Sequence, residues 1–492
     1  MRAMSIFTTG LFALSSTAVA AGTARDLVLR ALAAQGGRDQ LAGIHRVRFQ
    51  ETGYHNMVEQ SEWPEGPYVV AFQKITEVHD PESRRFRRSI SEHVANFPEF
   101  TDAFFFADGI AVREAAGSRA AGSSALAGEA QEILALSPER LLLTALAAVD
   151  VKDEGQTKLH AVPHRVISFS FNGAPVRIFL NANTMLPSAV ESSGAAAHSG
   201  FWNYLGDVTM RITWSFWSLS SNGIRYPLQW DIERNGLPDR MFFIDSLDFN
   251  PPDDFDWSIS AELRKQFEKS AGAANLEELP LGLPGQPAQE IAPGIIFIPG
   301  RWNVSIVRQD DGVVILEAPI SSGYSAKVME EARRRFPQLP VKAVIATSDS
   351  WPHLAGIREY VARGVPIYAL DLNRPILERV IADPRRSKPD ALSRTPRPPK
   401  LMLVSGRTQI GAGPNRMEIY PLRGQTTERQ MMVYFPGREL LYGSDAFQKS
   451  GNEYFSPQTV SQVVDAVKRE RLAVREFFMM HMDPSPWSEL PR

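Results

Sequence analysis

The sequence predicts an α+β protein with two domains, in which an antiparallel β-rich domain with an N-terminal helix precedes a domain of alternating strands and helices. The chain has 492 residues, more than the roughly 250–300 residues that one hydrophobic core usually organises. Alternation of apolar and polar residues with a period of two recurs to about residue 250, as in antiparallel sheets with one buried face. A Pro- and Gly-rich stretch then precedes short apolar runs separated by helical patterns.

Residues 1–20 are expected to be an export signal. Arg2 supplies a positive charge, and Ser5 to Ala20 is mostly apolar over 16 residues, whereas a membrane-spanning helix needs about 20. Ala18-Val19-Ala20 fits a small-x-small cleavage site. An uncleaved anchor is the alternative. We therefore expect a bacterial periplasmic or secreted protein with no transmembrane segment after cleavage.

Residues 21–268 are predicted to form the β-rich domain. A helical pattern covers residues 24–42, with a break at Gly36-Gly37, and a second helical patch runs from Pro138 to Ala148. Runs with a period of two, such as His45 to Phe49 and Met210 to Trp217, indicate strands.

Residues 269–293 are expected to be a linker, because Ala, Gly, Pro and Leu dominate them. The second domain is predicted over residues 294–492. Its expected helices cover Ser325 to Phe336 and Leu354 to Arg363, and Val341 to Ala346 is read as a buried strand between them. Residues 383–400 carry six basic, two acidic and five Pro residues, which indicates either a solvated loop or a contact for an anionic ligand.

Composition narrows the possible functions. The chain has 53 basic and 56 acidic side chains, a formal charge of −3, and this near-balance argues against a nucleic-acid partner. The absence of Cys excludes disulfides, thiolate metal sites and a Cys nucleophile. The oligomeric state is not indicated by the sequence.

The segment from Thr347 to Gly356 reads T-S-D-S-W-P-H-L-A-G and follows an apolar strand pattern. With this segment, the chain from Gly294 onward resembles the metallo-β-lactamase fold superfamily, which has T-H-x-H-x-D-H-x-x-G at this place. The family's later G-H-T element resembles Gly424 to Thr426, its G-x-D element resembles Gly443 to Asp445, and its final histidine matches His481. The resemblance implies a four-layer αββα sandwich and a zinc-dependent hydrolase site.

Four of the family's ligand positions are changed in this sequence. Ser348 and Ser350 replace the first two histidines, Pro352 replaces the motif Asp, and Gln425 replaces the middle histidine. A Ser hydroxyl is a poor zinc ligand, and Pro has no donor atom. A two-metal mechanism with a bridging hydroxide is therefore not expected.

The surviving positions, His353, Asp445 and His481, correspond to the family's second metal site. Two imidazoles and one carboxylate can hold a single zinc or iron ion. Asp445 or Asp349 is then the expected catalytic carboxylate that orients a metal-bound water. The alternative is that no metal binds, that His353 begins a helix, that Asp445 caps backbone amides, and that His481 is an interior histidine.

Two functional classes follow. The first is an envelope protein that binds a small or apolar ligand, or acts as a scaffold, with an eroded hydrolase site. The second is a mononuclear metal-dependent hydrolase of a small ester, lactone, amide or phosphoester. The loss of four ligands favours the first class, whereas the surviving trio favours a metal.

In the first half, the opening helix around Ala31, the stretch from Gln35 to Leu41 and the strand that follows loosely resemble the half-barrel of lipoprotein-carrier proteins. In such carriers an apolar concave sheet holds acyl chains, and aromatic residues between positions 201 and 217 are candidates to line such a surface. The candidates are Phe201, Trp202, Tyr204, Trp214, Phe216 and Trp217. Alternation places Trp214 and Phe216 on one face of a strand. The alternative is that this face is core packed against the N-terminal helix.

Overall fold

The computed structural model describes residues 23–58, 63, 65–95, 98–115, 117–195, 202, 204–270, 276–450, 453–454 and 456–490. The expected export signal and Phe201 lie outside these residues. Within the described ranges, no helix is both long enough and apolar enough to span a membrane.

The first half is built on one 13-stranded sheet with helices α1 to α5. The helices are α1 (Ala24–Gln35), α2 (Arg38–Ala42), α3 (Ser124–Leu136), α4 (Leu141–Ala147) and α5 (Ala261–Ser270). The strands are β1 (Val47–Asn56), β2 (Val70–Asp80), β3 (Arg85–Val94), β4 (Phe100–Ala107), β5 (Ile110–Ala115), β6 (Ser118–Ala121), β7 (Lys152–Leu159), β8 (Val162–Phe171), β9 (Ala174–Asn181), β10 (Pro187–Ala195), β11 (Asp207–Leu219), β12 (Arg225–Arg234) and β13 (Leu237–Phe249).

The chain runs outward through this sheet and then returns to its starting strand. It passes from β1 to β6, crosses through α3 and α4 to β7, and comes back to β13, which pairs with β1. All neighbouring strands are antiparallel. The antiparallel β-rich architecture predicted for this half is therefore present.

The opening helix begins and ends where the sequence indicates. At its start the Thr23 side chain accepts from the Asp26 amide (3.2 Å) while Asp26 accepts from the Thr23 amide (2.8 Å), a capping box. Gly36 ends the helix with φ +140°, and an added Cβ there would lie 2.9 Å from the carbonyl oxygen of Gly223. The residue must be Gly for both reasons.

Helix α3 contacts two strands that are far apart in the sheet order. Its Glu129 accepts from Arg88 on β3 (2.7 Å), and its Glu132 accepts from Ser192 on β10 (2.7 Å). Six strand-to-strand steps separate β3 from β10, about 29 Å in a flat sheet. Because the two glutamates lie three positions apart on one helix, the sheet must curl around α3, which covers its concave face.

The concave face buries a chain of charged side chains. His79 is fully buried, with Nδ1 2.8 Å from Glu139 and Nε2 2.8 Å from Glu77. Glu77 also pairs with Arg88, and the Tyr226 hydroxyl donates to Glu139 (2.9 Å). Burial opposes the charge on His79, but the two carboxylates outweigh it and raise its pKa to about 9.

One expectation for strand β11 is wrong. Trp214 is buried, but Phe216 is 65% exposed and therefore does not share its face. Phe216 adopts φ +53°, and the register to β12 passes from Ser215 to Trp217 without pairing it. A residue in the left-handed region breaks the alternation that a regular strand would follow.

The second half contains a 7-stranded mixed sheet, a 6-stranded sheet and helices α6 to α11. The helices are α6 (Ser322–Arg335), α7 (Trp351–Leu354), α8 (Ile357–Arg363), α9 (Arg374–Ala382), α10 (Ala391–Arg394) and α11 (Pro457–Arg469). The first sheet contains β14 (Gln289–Ala292), β15 (Ile295–Ile298), β16 (Val304–Gln309), β17 (Gly312–Leu316), β18 (Val341–Ala346), β19 (Ile367–Leu370) and β20 (Leu401–Val404). The second contains β21 (Thr408–Ile410), β22 (Met417–Pro421), β23 (Met431–Phe435), β24 (Leu440–Tyr442), β27 (Glu476–Phe478) and β28 (Ser485–Pro486), and β25 (Lys449–Ser450) pairs separately with β26 (Glu453–Tyr454).

One apolar cluster joins the two sheets of the second half. Side chains of α6, α8 and α9 share this cluster with strands of the first sheet and with Ile419 and Val433 of the second. Tyr420 and Met432, which alternate with those residues, belong instead to a cluster with α11. The second sheet therefore packs the first sheet on one face and α11 on the other.

The region expected to be a linker is partly structured. Gln289–Ala292 forms strand β14, which pairs with β15 at the edge of the first sheet.

The start of the basic loop, residues 383–400, contacts the first half of the chain. The Asp207 amide donates to the Pro384 carbonyl (2.7 Å), and the Arg386 amide donates to the Asp207 carboxylate (2.6 Å).

We expect His79→Gln to destabilise the fold by about 3–5 kcal/mol near pH 6, because it leaves buried Glu139 without its cationic partner and leaves Glu77 paired with Arg88 alone. The folded-state pKa of His79, about 9, exceeds the ordinary value of about 6.5. The stabilisation by charged His79 is therefore complete below about pH 6.5 and is lost as the pH rises through about 9. In urea unfolding, the difference in free energy of unfolding between wild type and His79→Gln should therefore decrease between about pH 6.5 and about pH 9.

His160→Gln is the control for this prediction, since His160 is exposed in the turn between β7 and β8. If His79→Gln lowers the free energy of unfolding by the same amount at every pH, that result would contradict the charged state assigned to His79.

Candidate metal centre

The ends of three strands bring His353, Asp445 and His481 together. Strands β24 and β27 are parallel neighbours, so the loops that follow them, which carry Asp445 and His481, emerge at one edge of the sheet. The loop after β18 leads into α7, which carries His353. Ligand atoms of the three residues all lie within 4.8 Å of one another.

Asp445 lies between the two histidines. Its Oδ1 atom is 2.8 Å from His481 Nε2, and its Oδ2 atom is 3.8 Å from His353 Nδ1. Gln448 donates a further hydrogen bond to Oδ1 (2.8 Å). Burial disfavours ionisation of Asp445, but the two histidines and Gln448 outweigh it and hold the pKa of this carboxyl below its ordinary value.

His353 is 2% exposed, and burial is the main reason that its pKa falls to about 4. Asp445 opposes this shift, and His481 adds to it. The ring is therefore neutral at pH 7. A neutral imidazole beside an ionised carboxylate is the protonation state that metal ligands require.

The His481 loop is held by Asn303, which the sequence analysis did not identify. The Asn303 side-chain amide donates to the carbonyl of Met479 (3.0 Å) and of Met482 (3.3 Å), and its backbone amide donates to Met480 (2.8 Å). These bonds fix the backbone on both sides of His481. The contact spans more than 170 positions, so no local sequence signal could have shown it.

Trp302 forms an apolar wall beside the histidines. Its ring centroid is 6.1 Å from that of His353 and 6.4 Å from that of His481. The first half covers this wall, since Tyr204 packs edge-on against Trp302 (5.2 Å). Trp202 likewise packs against Trp351 in α7 (4.7 Å). Both halves of the chain therefore enclose the site.

The residues at the changed family positions have local roles. Ser348 Oγ lies 3.1 Å from His353 Nδ1 and accepts from the Ser350 amide (3.2 Å). Pro352 lies in the first turn of α7, and its carbonyl accepts from the Ile320 amide (2.8 Å). Gln425 is exposed and does not belong to the group of three ligands.

Ser348, His353 and Asp445 do not form a catalytic relay. A Ser-His-Asp triad uses one imidazole nitrogen for the hydroxyl and the other for the carboxylate. Here both partners approach the same atom, Nδ1 of His353. The arrangement therefore fits ligand positioning better than Ser activation.

Asp349, the second predicted catalytic carboxylate, lies outside the group of three. Burial raises its pKa to about 7, opposed by its own backbone amide and by Arg429, while the charges of Asp445 and Glu65 add to the rise. Arg429 also pairs with Glu65 of the first half (3.1 Å). Asp349 is thus electrostatically coupled to Asp445 and can exchange a proton near neutral pH.

Glu317 is a buried acid that sequence reasoning missed. It follows β17, is completely buried and has φ +78°, a strained conformation for a residue with a side chain. Its carboxyl lies within hydrogen-bond distance of the Thr347 amide and hydroxyl, and Thr347 Oγ1 is 2.7 Å from Ser444 Oγ. Glu317 thereby connects the ends of β17 and β18 to the residue beside Asp445. Burial raises the pKa of Glu317 to about 7.

The motif glycine, Gly356, is required by a close helix contact. Its amide donates to the Ala318 carbonyl (2.8 Å). A Cβ at this position would lie 2.1 Å from Ser325 Oγ and 2.7 Å from the Ser321 carbonyl oxygen. Any side chain here would push α8, and with it the His353 segment, away from α6.

No family model matches the chain, and no curated protein matches it. Solved structures similar to it include TMB-1, with 18% identity over 42% of this chain and 94% of that chain and a TM-score of 0.32. A metallo-beta-lactamase from Pontibacter korlensis shares 16% identity over 41% of this chain and 94% of its own, with a TM-score of 0.33. The sec-alkylsulfatase Pisa1 from Pseudomonas sp. shares 13% identity over 44% of this chain and 40% of that chain, with a TM-score of 0.32.

We expect Glu317→Gln to change the pH dependence of stability. The folded-state pKa of about 7 exceeds the ordinary 4.5, so the folded chain keeps a proton that the unfolded chain releases, and wild-type stability falls between about pH 4.5 and 7. Gln lacks this titration. Relative to wild type, the variant should gain up to about 3 kcal/mol between about pH 5 and 8, as measured by urea unfolding.

Glu330→Gln on the exposed side of α6 is the matched control and should show no such gain. A Glu317→Gln curve parallel to wild type at every pH would show that Glu317 does not titrate in this range.

Proposed function

We propose that His353, Asp445 and His481 bind one zinc or iron ion and that the chain is a mononuclear metal-dependent hydrolase of a small ester, lactone, amide or phosphoester. The observation that carries the proposal is the convergence of three ligand atoms within 4.8 Å. These residues are separated by about 90 and 36 positions along the chain, and two of them are the histidines of the second half.

The donor set fits one transition-metal ion. Two imidazoles and a carboxylate are ligands that zinc and non-haem iron use, with open positions left for water and substrate. The neutral state of His353 and the ionised state of Asp445 support this fit. The Ser348, Ser350, Pro352 and Gln425 side chains offer too few strong donors for a second ion.

A metal ion bound here would polarise a substrate carbonyl or phosphoryl group and lower the pKa of a bound water. The chain's own groups would do the rest. Asp445 orients the two imidazoles, and Asp349, with its pKa of about 7, takes up or releases a proton near neutral pH. Trp302, covered by Tyr204, excludes bulk water from one side.

A ligand-binding or scaffolding protein without hydrolysis is the second candidate. It is supported by the hydrogen bonds and ion pairs that these residues make with one another and with neighbouring side chains, since Asp445 pairs with His481 and Gln448, and His353 with Ser348. The loss of four family ligands also supports it. In either case we propose an exported bacterial envelope protein whose second half, residues 294–492, is a four-layer metallo-β-lactamase-like sandwich.

Metal content tests the proposal directly. After incubation with zinc, iron or manganese and gel filtration, the wild-type protein should retain about one ion per chain by inductively coupled plasma mass spectrometry. His353→Ala and His481→Ala should each lose that ion, because two ligands bind far more weakly than three. His160→Ala, an exposed histidine of the first half, should retain it.

Hydrolysis then separates the two candidates. Turnover of a model ester that disappears with a chelator and in His481→Ala supports the hydrolase, whereas one bound ion without turnover supports the binding protein. Wild-type protein that retains no ion would overturn the metal site altogether.

A further inference from the structure

A second site of a different kind lies in the first half. The curled 13-stranded sheet and helix α3 enclose a cavity of about 540 Å³, within the range of about 300–1,000 Å³ that is usual for small-molecule sites. Its wall is formed by α3, by strands β2 and β3 and by strands β8 to β13. Ser387 of the second half lies at the edge.

Most of the cavity wall is apolar. Its apolar surface comes from β2, from α3 and from strands β8 to β13. Representative lining residues are Ile75, Leu136, Val190, Ile212, Trp230 and Phe242. A wall of this composition favours a ligand with an apolar body, since burial of apolar surface supplies most of the binding free energy.

The polar atoms left without partners on this wall are both donors. Trp214 is 3% exposed, and its Nε1 has no hydrogen-bond partner within the described part of the chain. Arg240 Nε also makes no hydrogen bond there, because the Asp239 Oδ2 atom with which it forms an ion pair lies 3.9 Å away. Both residues line the cavity. A buried donor without a partner costs about 1–3 kcal/mol, and a ligand atom that accepts a hydrogen bond would remove that cost.

Two cationic side chains line this wall near Asp239. Arg234 and Arg240 share the Asp239 carboxylate, at 3.0 and 3.9 Å. Burial lowers the pKa of neighbouring His55 to about 4, so this ring adds no charge at pH 7. Glu51 also interacts electrostatically with Arg240, but burial raises the pKa of this carboxyl well above its ordinary value and favours its neutral form.

The acidic residues on the wall are already engaged. Glu77 and Glu129 pair with Arg88, and Glu132 accepts from Ser192. Among the charged side chains of this wall, Arg240 is the one whose buried Nε has no hydrogen bond within the described part of the chain, so a negative ligand group is best placed beside it.

We propose that this cavity binds one small molecule with an apolar body and an anionic head. The head lies beside Arg240 and Arg234, and the body lies along the surface formed by Ile212, Trp230 and Phe242. The Trp214 indole N–H donates to an acceptor atom of the ligand. This site is independent of the metal centre in the second half.

Calorimetric titration with two probes of opposite head charge tests the proposal. Decanoate should bind the full-length protein with one site per chain, and decylamine, which has the same apolar chain, should bind at least about tenfold more weakly. Equal affinity for the two probes, or no binding of decanoate, would overturn the proposal.

Variants locate the site. Ile212→Trp fills the cavity from strand β11 and should abolish decanoate binding, whereas Thr213→Trp, the next residue and on the opposite face of the strand, should leave it intact. Arg240→Met removes the charge but retains an apolar stem, and should weaken decanoate about tenfold without weakening decylamine.

Trp214→Phe isolates the indole N–H, and a several-fold loss is expected. His353→Ala should bind decanoate as wild type does, which separates this site from the metal centre. Unchanged decanoate binding in Ile212→Trp would place the ligand elsewhere and contradict the assignment.

Discussion

Pairing between strands β1 and β13, nearly 200 positions apart, holds the first half together. The register runs from Val47 opposite Phe249 to His55 opposite Arg240, so the first and last strands of this half become neighbours in the middle of the sheet. Both arms of the sheet extend from this seam, and α3 connects them across the concave face. The cavity, the buried His79 network and the wall around Arg240 all depend on that curvature. Gly53 permits the close seam, because a Cβ there would lie 2.1 Å from the carbonyl oxygen of Met241.

In the second half, strand pairing likewise brings distant segments of the chain together, but over fewer residues. Parallel pairing of β24 with β27 brings two loops to one edge, and the Glu317–Thr347–Ser444 contacts tie that edge to the neighbouring sheet. Asp445 and His481 therefore lie on loops that follow buried strands, and His353 lies on a short helix, an arrangement that combines access with precise placement. Asn303 and Ser444 both hold the loop of His481, since the Met480 amide donates to the Ser444 carbonyl (3.0 Å).

Local sequence patterns predicted helices correctly where apolar periodicity and a terminal Gly determine the helix. The opening helix, its break at Gly36 and the end of α8 at Arg363, which is followed by Gly364 with φ +71°, follow from periodicity and from the conformations that only Gly adopts easily. Phe216 was misplaced because a single residue in the left-handed region breaks alternation without any sign in its side chain.

Long-range contacts could not be predicted from the sequence, for a different reason. Asn303, Glu317 and the pairing of His79 with Glu139 depend on contacts between residues about 30 to 180 positions apart, and no spacing rule connects them. The His353, Asp445 and His481 group could be anticipated through a family resemblance, and a second resemblance suggested Trp214 as a residue that lines a concave apolar surface. The size of the cavity and the residues that close it could not be anticipated, because they depend on how far the sheet curls.

Trp202 links the two halves, with its indole N–H donating to Asp239 (3.0 Å) and its ring packed on Trp351. Separate production of the halves would expose the aromatic surface on both sides, and exposed apolar patches of this kind promote aggregation. The same tryptophan stands between the carboxylate shared by the two cavity arginines and the helix that carries His353. A larger or smaller side chain at position 202 would therefore disturb contacts in both halves at once.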